Sequence, residues 1–193
     1  MDVVLLDLWL PILAAAVVVF FASFAAHMVL KHHKGDWSKL PNEDAFLDMM
    51  RAAKAPAGQY MFPHCCDYKE MQNPEMKKKL EAGPMGTMTI WPGNVSMGRN
   101  LALTFATYLL ITLFVAYLAS VALHRGEDFL AVFRFTATAG VMGHCFGFFG
   151  HSIWYGQSRR AFINDLIDGV AYGLLTGVVF GLLWPASSVT LPV

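Results

Sequence analysis

The chain has 193 residues, of which 56% are hydrophobic and only 15% are charged, and its 14 basic side chains balance its 14 acidic ones. Soluble domains usually contain about a quarter charged residues, so this composition argues against a soluble globular protein. No nucleic-acid partner is expected, because such a protein normally carries a strongly basic surface.

Four long apolar runs, each near the length that crosses the hydrocarbon core, dominate the sequence. They cover roughly 8–30, 101–123, 129–150 and 163–184. Because lipid cannot satisfy backbone polar groups, each run is predicted to be a helix. The expected fold is an all-α four-transmembrane-helix bundle, with residues 1–193 forming a single membrane domain. The first run lacks a basic leading segment, which favours a retained helix over a secretory signal.

The segment 31–100 is predicted to be an ordered, partly helical cytoplasmic loop between the first two spans. One short helix should follow Asn42 as its N-cap and end near Lys54. A second should begin after Asn73, where a proline occupies the first helical position. The remaining stretch, 83–100, mixes Met, Ile and Trp with Gly and Pro and carries few charges, so it is expected to lie along the membrane interface.

Orientation follows from the basic residues. The loop 31–100 holds ten of the 14 Lys and Arg residues, whereas only Arg125 lies in a loop on the opposite side. The positive-inside rule therefore places both termini on the outer, periplasmic side of a bacterial inner membrane. Arg134 falls inside the third run, and its side chain is expected to snorkel to the outer interface.

The third and fourth runs carry stripes of glycine at helical spacing, which let helices approach closely in lipid. In the third run these are Gly140, Gly143, Gly147 and Gly150, and in the fourth Gly169, Gly173, Gly177 and Gly181. Contact between the two helices is predicted, with Gly143, Gly147, Gly173 and Gly177 at the interface.

Several ionisable side chains share the glycine faces at one end of the predicted bundle. His144 and His151 lie on the face marked by glycines in the third helix, and Asp165 lies on that of the fourth. His27 is expected at the same depth, at the end of the first span. The sequence therefore gives His27, His144, His151 and Asp165 as candidate metal ligands, with Asp168 at the edge of the group.

Three interpretations of this group fit the sequence. Imidazole and carboxylate groups could bind a transition metal, or histidines from two helices could ligate a haem. The same groups could relay protons. Alternatively they are structural, because carboxylates are favoured in the first turn of a helix and an interfacial histidine often bonds a backbone carbonyl.

A second candidate site is the loop triplet His64, Cys65 and Cys66. Adjacent cysteines cannot easily chelate one tetrahedral zinc ion in the way that a C-x-x-C spacing can. The interpretations left open are buried unreactive thiols, copper(I) binding assisted by nearby methionines, thiol redox chemistry and lipidation.

The segments GPMGTMTIWP, SIWYGQ and DGVAYGLLTGVVFGLLWP resemble a family of bacterial four-span inner-membrane proteins that has no assigned activity. The resemblance implies a fold and a location but no catalytic residue. The leading functional hypothesis is a non-enzymatic accessory subunit of a larger membrane complex or a self-associating bundle. The alternative is a metal- or haem-binding redox protein, and a small transporter or proton relay is third.

Overall fold

The computed structural model describes residues 3–187 and is built around four helices that are long and apolar enough to cross a membrane. The first span runs over Leu5–Val29, and the other three are α5 (Met97–Ala122), α6 (Phe129–Tyr155) and α7 (Arg159–Leu182). The predicted all-α four-helix architecture is therefore confirmed.

Polar caps set the first residues of α5, α6 and α7. Ser96, Asp128 and Ser158 each accept hydrogen bonds from backbone N–H groups in the first turn of α5, α6 and α7, respectively. As a result α5 and α7 each start four residues before the predicted span. Hydropathy marks the lipid-buried part of a helix, whereas capping chemistry marks its first residue.

The first span is not a uniform α-helix. It consists of a 3₁₀ turn at Leu5–Leu8, α1 at Trp9–Phe24 and a π-helical turn at Ala25–Val29. Such π turns are uncommon and often occur at functional sites. This one contains His27 and ends the span.

Each span packs mainly against two others, which gives a four-membered ring in the order α1, α5, α6, α7. The contact between α6 and α7 is by far the most extensive, and that between α5 and α6 is the sparsest. We call the end containing Leu5 and Leu182 the terminal end, and the end containing Val29 and Arg159 the loop end. The fully buried apolar core lies toward the terminal end and includes Leu8, Val115, Val132 and Phe180.

All four glycines of the α7 stripe pack against α6. A Cβ atom at Gly173 would overlap the backbone nitrogen of Val141, and one at Gly177 would lie 2.5 Å from the Cβ of Ala137. Added Cβ atoms at Gly169 and Gly181 would likewise collide with α6 side chains. The backbones therefore touch along most of both helices, as small-residue stripes permit in lipid.

The glycines of α6 do not all share that role. Gly140 lies against Gly173, but Gly143 faces Ile111 on α5, and no atom lies within 4 Å of a Cβ built at Gly147 or Gly150. The expectation that Gly143 and Gly147 lie at the contact between α6 and α7 therefore differs from the structure. The spacing of Gly147 suits the stripe, but a Cβ there would meet no atom of α7, although Phe149 and Phe162 keep the two helices in contact beyond it.

The loop contains the two expected helices, α2 (Glu43–Ala53) and α4 (Pro74–Ala82), with a single-turn helix α3 (Tyr68–Met71) between them. It also contains a two-stranded antiparallel sheet, β1 (Gly58–Phe62) paired with β2 (Gly86–Ile90). The sheet was not predicted. Its signal was the alternation in GTMTI, where threonines at every second position suit a strand.

The helix contact leads to a first prediction. Gly173→Ala should lower the free energy of unfolding by about 1–3 kcal/mol, the usual effect of overpacking, because Val141 backbone atoms occupy the space. Gly147→Ala is the matched control and should be neutral or slightly stabilising, since alanine favours helix and that site is open. Thermal unfolding of the purified protein in one detergent measures both. Equal melting temperatures for the two variants would contradict the close contact.

Candidate metal centre

Two histidines and an aspartate meet at the loop end of the bundle. His27 comes from the π turn, His33 from a 3₁₀ turn at His32–Gly35 and Asp168 from α7. Each offers one ligand atom, and these three atoms all lie within 4.8 Å of one another. Three separate segments thus contribute to one cluster.

The chain reverses just after the first span to bring His33 back onto the bundle. Lys31 adopts a left-handed conformation (φ 56°), which redirects the backbone between the π turn and the 3₁₀ turn. Gly35 then packs against Arg160, where a Cβ atom would lie only 3.0 Å from the guanidinium carbon. These two backbone features hold the His32–Gly35 turn against α7.

Asp168 is the centre of the polar contacts. Its side chain is largely buried, and its two carboxylate oxygens face His32 Nε2 and His33 Nε2, each at 3.0 Å. The Tyr172 hydroxyl donates to the same carboxylate at 3.1 Å, from one turn further along α7. A buried carboxylate needs such partners, because an unpaired charge would carry a large desolvation cost.

His33 lies between two carboxylates. Its Nδ1 is 2.7 Å from Asp36 and its Nε2 is 3.0 Å from Asp168. Partial burial disfavours the charged ring, but hydrogen bonds and attraction from Asp168 and Asp36 outweigh it and raise the pKa of His33. A protonated His33 ring would donate from both nitrogens, from Nδ1 to Asp36 and from Nε2 to Asp168.

Asp36 is held by residues from α7 as well as by His33. Asn164 Nδ2 donates to Asp36 at 2.9 Å, and Arg160 Nε lies 3.4 Å from the same oxygen. Burial opposes ionisation, but the His33 bond, the amide of Asn164 and the charge of Arg160 together lower the pKa of Asp36. Asp36 is thus a carboxylate that fixes the orientation of the His33 ring.

His27 completes the group from the exposed side. Its Nδ1 lies 3.0 Å from the carbonyl oxygen of Ser23, so that nitrogen carries the proton and donates. Its ring stacks on that of His33, with centroids 4.2 Å apart and planes within 9°. In both histidines an oxygen acceptor holds Nδ1, as is typical of metal-binding histidines whose Nε2 coordinates the ion.

The cluster must contract and turn slightly to bind an ion. Ligand atoms about 2.1 Å from a tetrahedral metal lie about 3.4 Å from one another. The present separations reach 4.8 Å, and parallel rings cannot both point at one ion. The exposed His27 ring is the group with room to turn, because only its Nδ1 is fixed.

Of the four predicted ligands, the structure brings only His27 into this cluster, together with Asp168, which was predicted at the edge of the group. His144 is buried between the rings of Tyr108 and Tyr172, and its Nε2 has no hydrogen-bond partner in the described chain. His151 stacks on Tyr155, and Asp165 accepts a 2.5 Å hydrogen bond from Gln157. Within residues 3–187 no hydrogen bond or ion pair joins His151 to Asp165.

The loop triplet lies apart from the cluster. Cys66 is exposed, with its sulfur 3.9 Å from His64 Nδ1, and Cys65 is partly buried. The Cys66 N–H donates to the Glu70 carboxylate at 2.7 Å, which fixes the loop before α3. The described residues form no metal-binding group that includes this triplet.

Sequence reasoning missed four residues of the centre: His32, His33, Asp36 and Asn164. The first three belong to the run KHHKGD, which directly follows the first span and lies outside the apolar segments. The available signal was a pair of histidines followed three residues later by an aspartate, just beyond a span whose last turn contains His27. Helix-face geometry could not show it, because the chain reverses at Lys31.

No protein-family model, curated protein or solved structure matches this chain. The functional argument therefore depends on the geometry of the chain's own residues.

The polar contacts lead to a second prediction. Asp168→Asn should weaken the attachment of the 32–36 segment, because His32 and His33 lose a charged acceptor and such hydrogen bonds contribute about 1.5–3 kcal/mol each. Hydrogen exchange should then become faster across that segment. Asp165→Asn is the matched control on the same helix and should leave exchange there unchanged, since Asp165 bonds Gln157 instead. Unchanged exchange in the Asp168 variant would show that Asp168 does not anchor the segment.

Proposed function

We propose that this chain is an integral membrane protein that binds a divalent first-row transition-metal ion at its loop end, through His27, His33 and Asp168. The observation that carries the proposal is the convergence of one ligand atom from each residue within 4.8 Å. Two imidazoles and a carboxylate are a donor set that suits zinc, iron, nickel or cobalt better than calcium or magnesium.

The surroundings support an ion with an open coordination position. Asp36 and Ser23 already orient the two histidines, and Tyr172 orients the carboxylate. His32 faces the second oxygen of Asp168 and is the nearest further donor. Three protein ligands with an exposed side leave space for water or another small ligand, the arrangement in which an ion acts as a Lewis acid.

The other hypotheses have less support from the geometry. A haem would need histidines on opposite faces of the macrocycle, whereas His27 and His33 stack directly on each other. A proton relay would need a hydrogen-bonded chain that continues through the bundle. Ser23 bonds both the Tyr172 and Tyr108 hydroxyls, but His144 Nε2, which lies between those two rings, has no partner among the described residues. A role as an accessory subunit or self-associating bundle stays a prediction and is compatible with metal binding.

Metal binding is tested by titrating the purified chain, first treated with a chelator, with Zn²⁺ in a calorimeter and with Co²⁺ in an absorption spectrometer. The His27→Ala variant should bind Zn²⁺ at least about 10- to 100-fold more weakly than the unmodified chain, since even residues that only orient a ligand have effects of that size. Saturating Zn²⁺ should also raise the melting temperature, by linkage.

His27→Ala is chosen because this side chain is exposed and bonds only to the backbone, so the fold should survive its loss. His151→Ala is the control: it is also an exposed histidine near the loop end, and it should bind like the unmodified chain. Cys65→Ser and Cys66→Ser together remove the loop thiols as a competing site. Two results would contradict metal binding at the cluster: loss of Zn²⁺ binding when the thiols are removed, or unchanged Zn²⁺ binding in both histidine variants. The cluster would then be a purely structural polar network.

We also propose that the chain lies in a bacterial inner membrane with the loop end facing the cytoplasm, as the distribution of Lys and Arg supports. In intact cells, a membrane-impermeant maleimide should not label the exposed Cys66, but should label a Glu127→Cys variant lacking the native cysteines. The new cysteine is placed at Glu127 and not at the neighbouring Gly126, because the positive φ of Gly126 and its close contact with Ser187 disfavour a side chain there. Labelling of Cys66 from outside would reverse the orientation.

A further inference from the structure

A groove opens between α5 and α6 in the terminal half of the bundle, away from the metal centre. Its volume is about 620 Å³, within the range of about 300–1,000 Å³ typical of small-molecule sites. Leu118 of α5 and Leu123, the residue that follows α5, line one side, and Phe135, Ala139 and Met142 line it from α6. It lies where the helices have their sparsest contact, and it is open toward the side that faces lipid.

One cation lies in this apolar lining. Arg134 belongs to the groove wall, five residues after the start of α6 and therefore about 7.5 Å below the end of the helix. Its guanidinium makes no hydrogen bond or ion pair with any residue in the range 3–187. A charge at such a position in a membrane needs water or an anion as a partner.

The dimensions of the groove match one leaflet. From Ala131 near the terminal end to Met142, eleven residues of α6 rise about 16 Å. Half of a hydrocarbon core about 30 Å thick is about 15 Å. An acyl chain of one leaflet can therefore occupy the groove along its whole length, whereas a partner helix would continue across both leaflets.

The position of Arg134 suits the headgroup of such a lipid. An arginine that lies less than two turns from the helix end can reach the interface, where phosphate groups lie. Guanidinium binds phosphate in a bidentate, charge-assisted manner. A lipid with net negative charge is favoured over a zwitterionic one, because its headgroup presents no cation to oppose Arg134.

We propose that this groove is a binding site for one anionic phospholipid, with its phosphate on Arg134 and an acyl chain between α5 and α6. The lipid then fills the weakest contact of the bundle, so its binding should stabilise the folded protein. The proposal does not depend on the metal centre, which lies at the opposite end of the bundle.

Native mass spectrometry of the delipidated full chain, titrated with phosphatidylglycerol or phosphatidylcholine, tests the site. The unmodified protein should bind one phosphatidylglycerol at least about tenfold more tightly than phosphatidylcholine, as expected for charge-assisted hydrogen bonds to one partner only. Arg134→Gln should abolish this preference. Arg99→Gln, which removes an exposed arginine at the loop end, should retain it.

A second variant tests the contribution of the apolar groove separately from that of the Arg134 charge. Thr138→Phe places a ring in the groove wall at a position exposed to lipid, so the fold should tolerate it while acyl-chain binding weakens. Phosphatidylglycerol should also raise the melting temperature of the unmodified chain, but not that of the Arg134→Gln or Thr138→Phe variant.

Three results would overturn the proposal. The first is an unchanged preference for phosphatidylglycerol in Arg134→Gln, and the second is unchanged lipid binding in Thr138→Phe. The third is that the chain forms a dimer, and that Thr138→Phe dissociates this dimer whereas Arg134→Gln does not. A second copy of the chain would then occupy the groove.

Discussion

The close contact between α6 and α7 is the constraint on which the rest of the molecule depends. Four glycines of α7 place its backbone directly against α6, and Gly173 has no space for even a methyl group. Apolar side chains gain little by associating in lipid, so close packing has to supply the attraction between the helices. The contact fixes the rotation of α7, which directs Asp168 and Tyr172 into the bundle while Ile167 and Val170 remain exposed.

Placing Asp168 in the bundle creates a need for polar partners, and the segment after the first span supplies them. Its carboxylate is too deep for full hydration, so two histidines and a tyrosine hydroxyl surround it. The left-handed Lys31 is what allows these histidines to return to α7. The polar cluster thus also anchors the start of the long loop, so a metal ion bound there would affect the attachment of the loop as well as the local chemistry.

Composition and periodicity were enough to predict four spans, the helices α2 and α4 and the α7 glycine stripe, because lipid forces long apolar segments into helices. They placed His27 correctly at the loop end but could not find His33 or Asp36. Face and depth arguments assume a continuing helix, and the π turn and Lys31 break that continuity. His144 shows the opposite limit: it lies on the predicted face and is buried, yet its neighbours are aromatic rings instead of ligands.

The two ends of the bundle differ in how they are held together. At the terminal end, the first span and α7 pack through apolar side chains such as Leu8 and Phe180, and Asp7 pairs with Arg125 across the ends of the helices. At the loop end, charged and polar groups take over this role around Asp168. Apolar packing does not respond to protons or metal ions, whereas a histidine–carboxylate cluster responds to both. Sensitivity to solution conditions is therefore concentrated at the loop end, where the chain leaves the membrane and its largest polar segment begins.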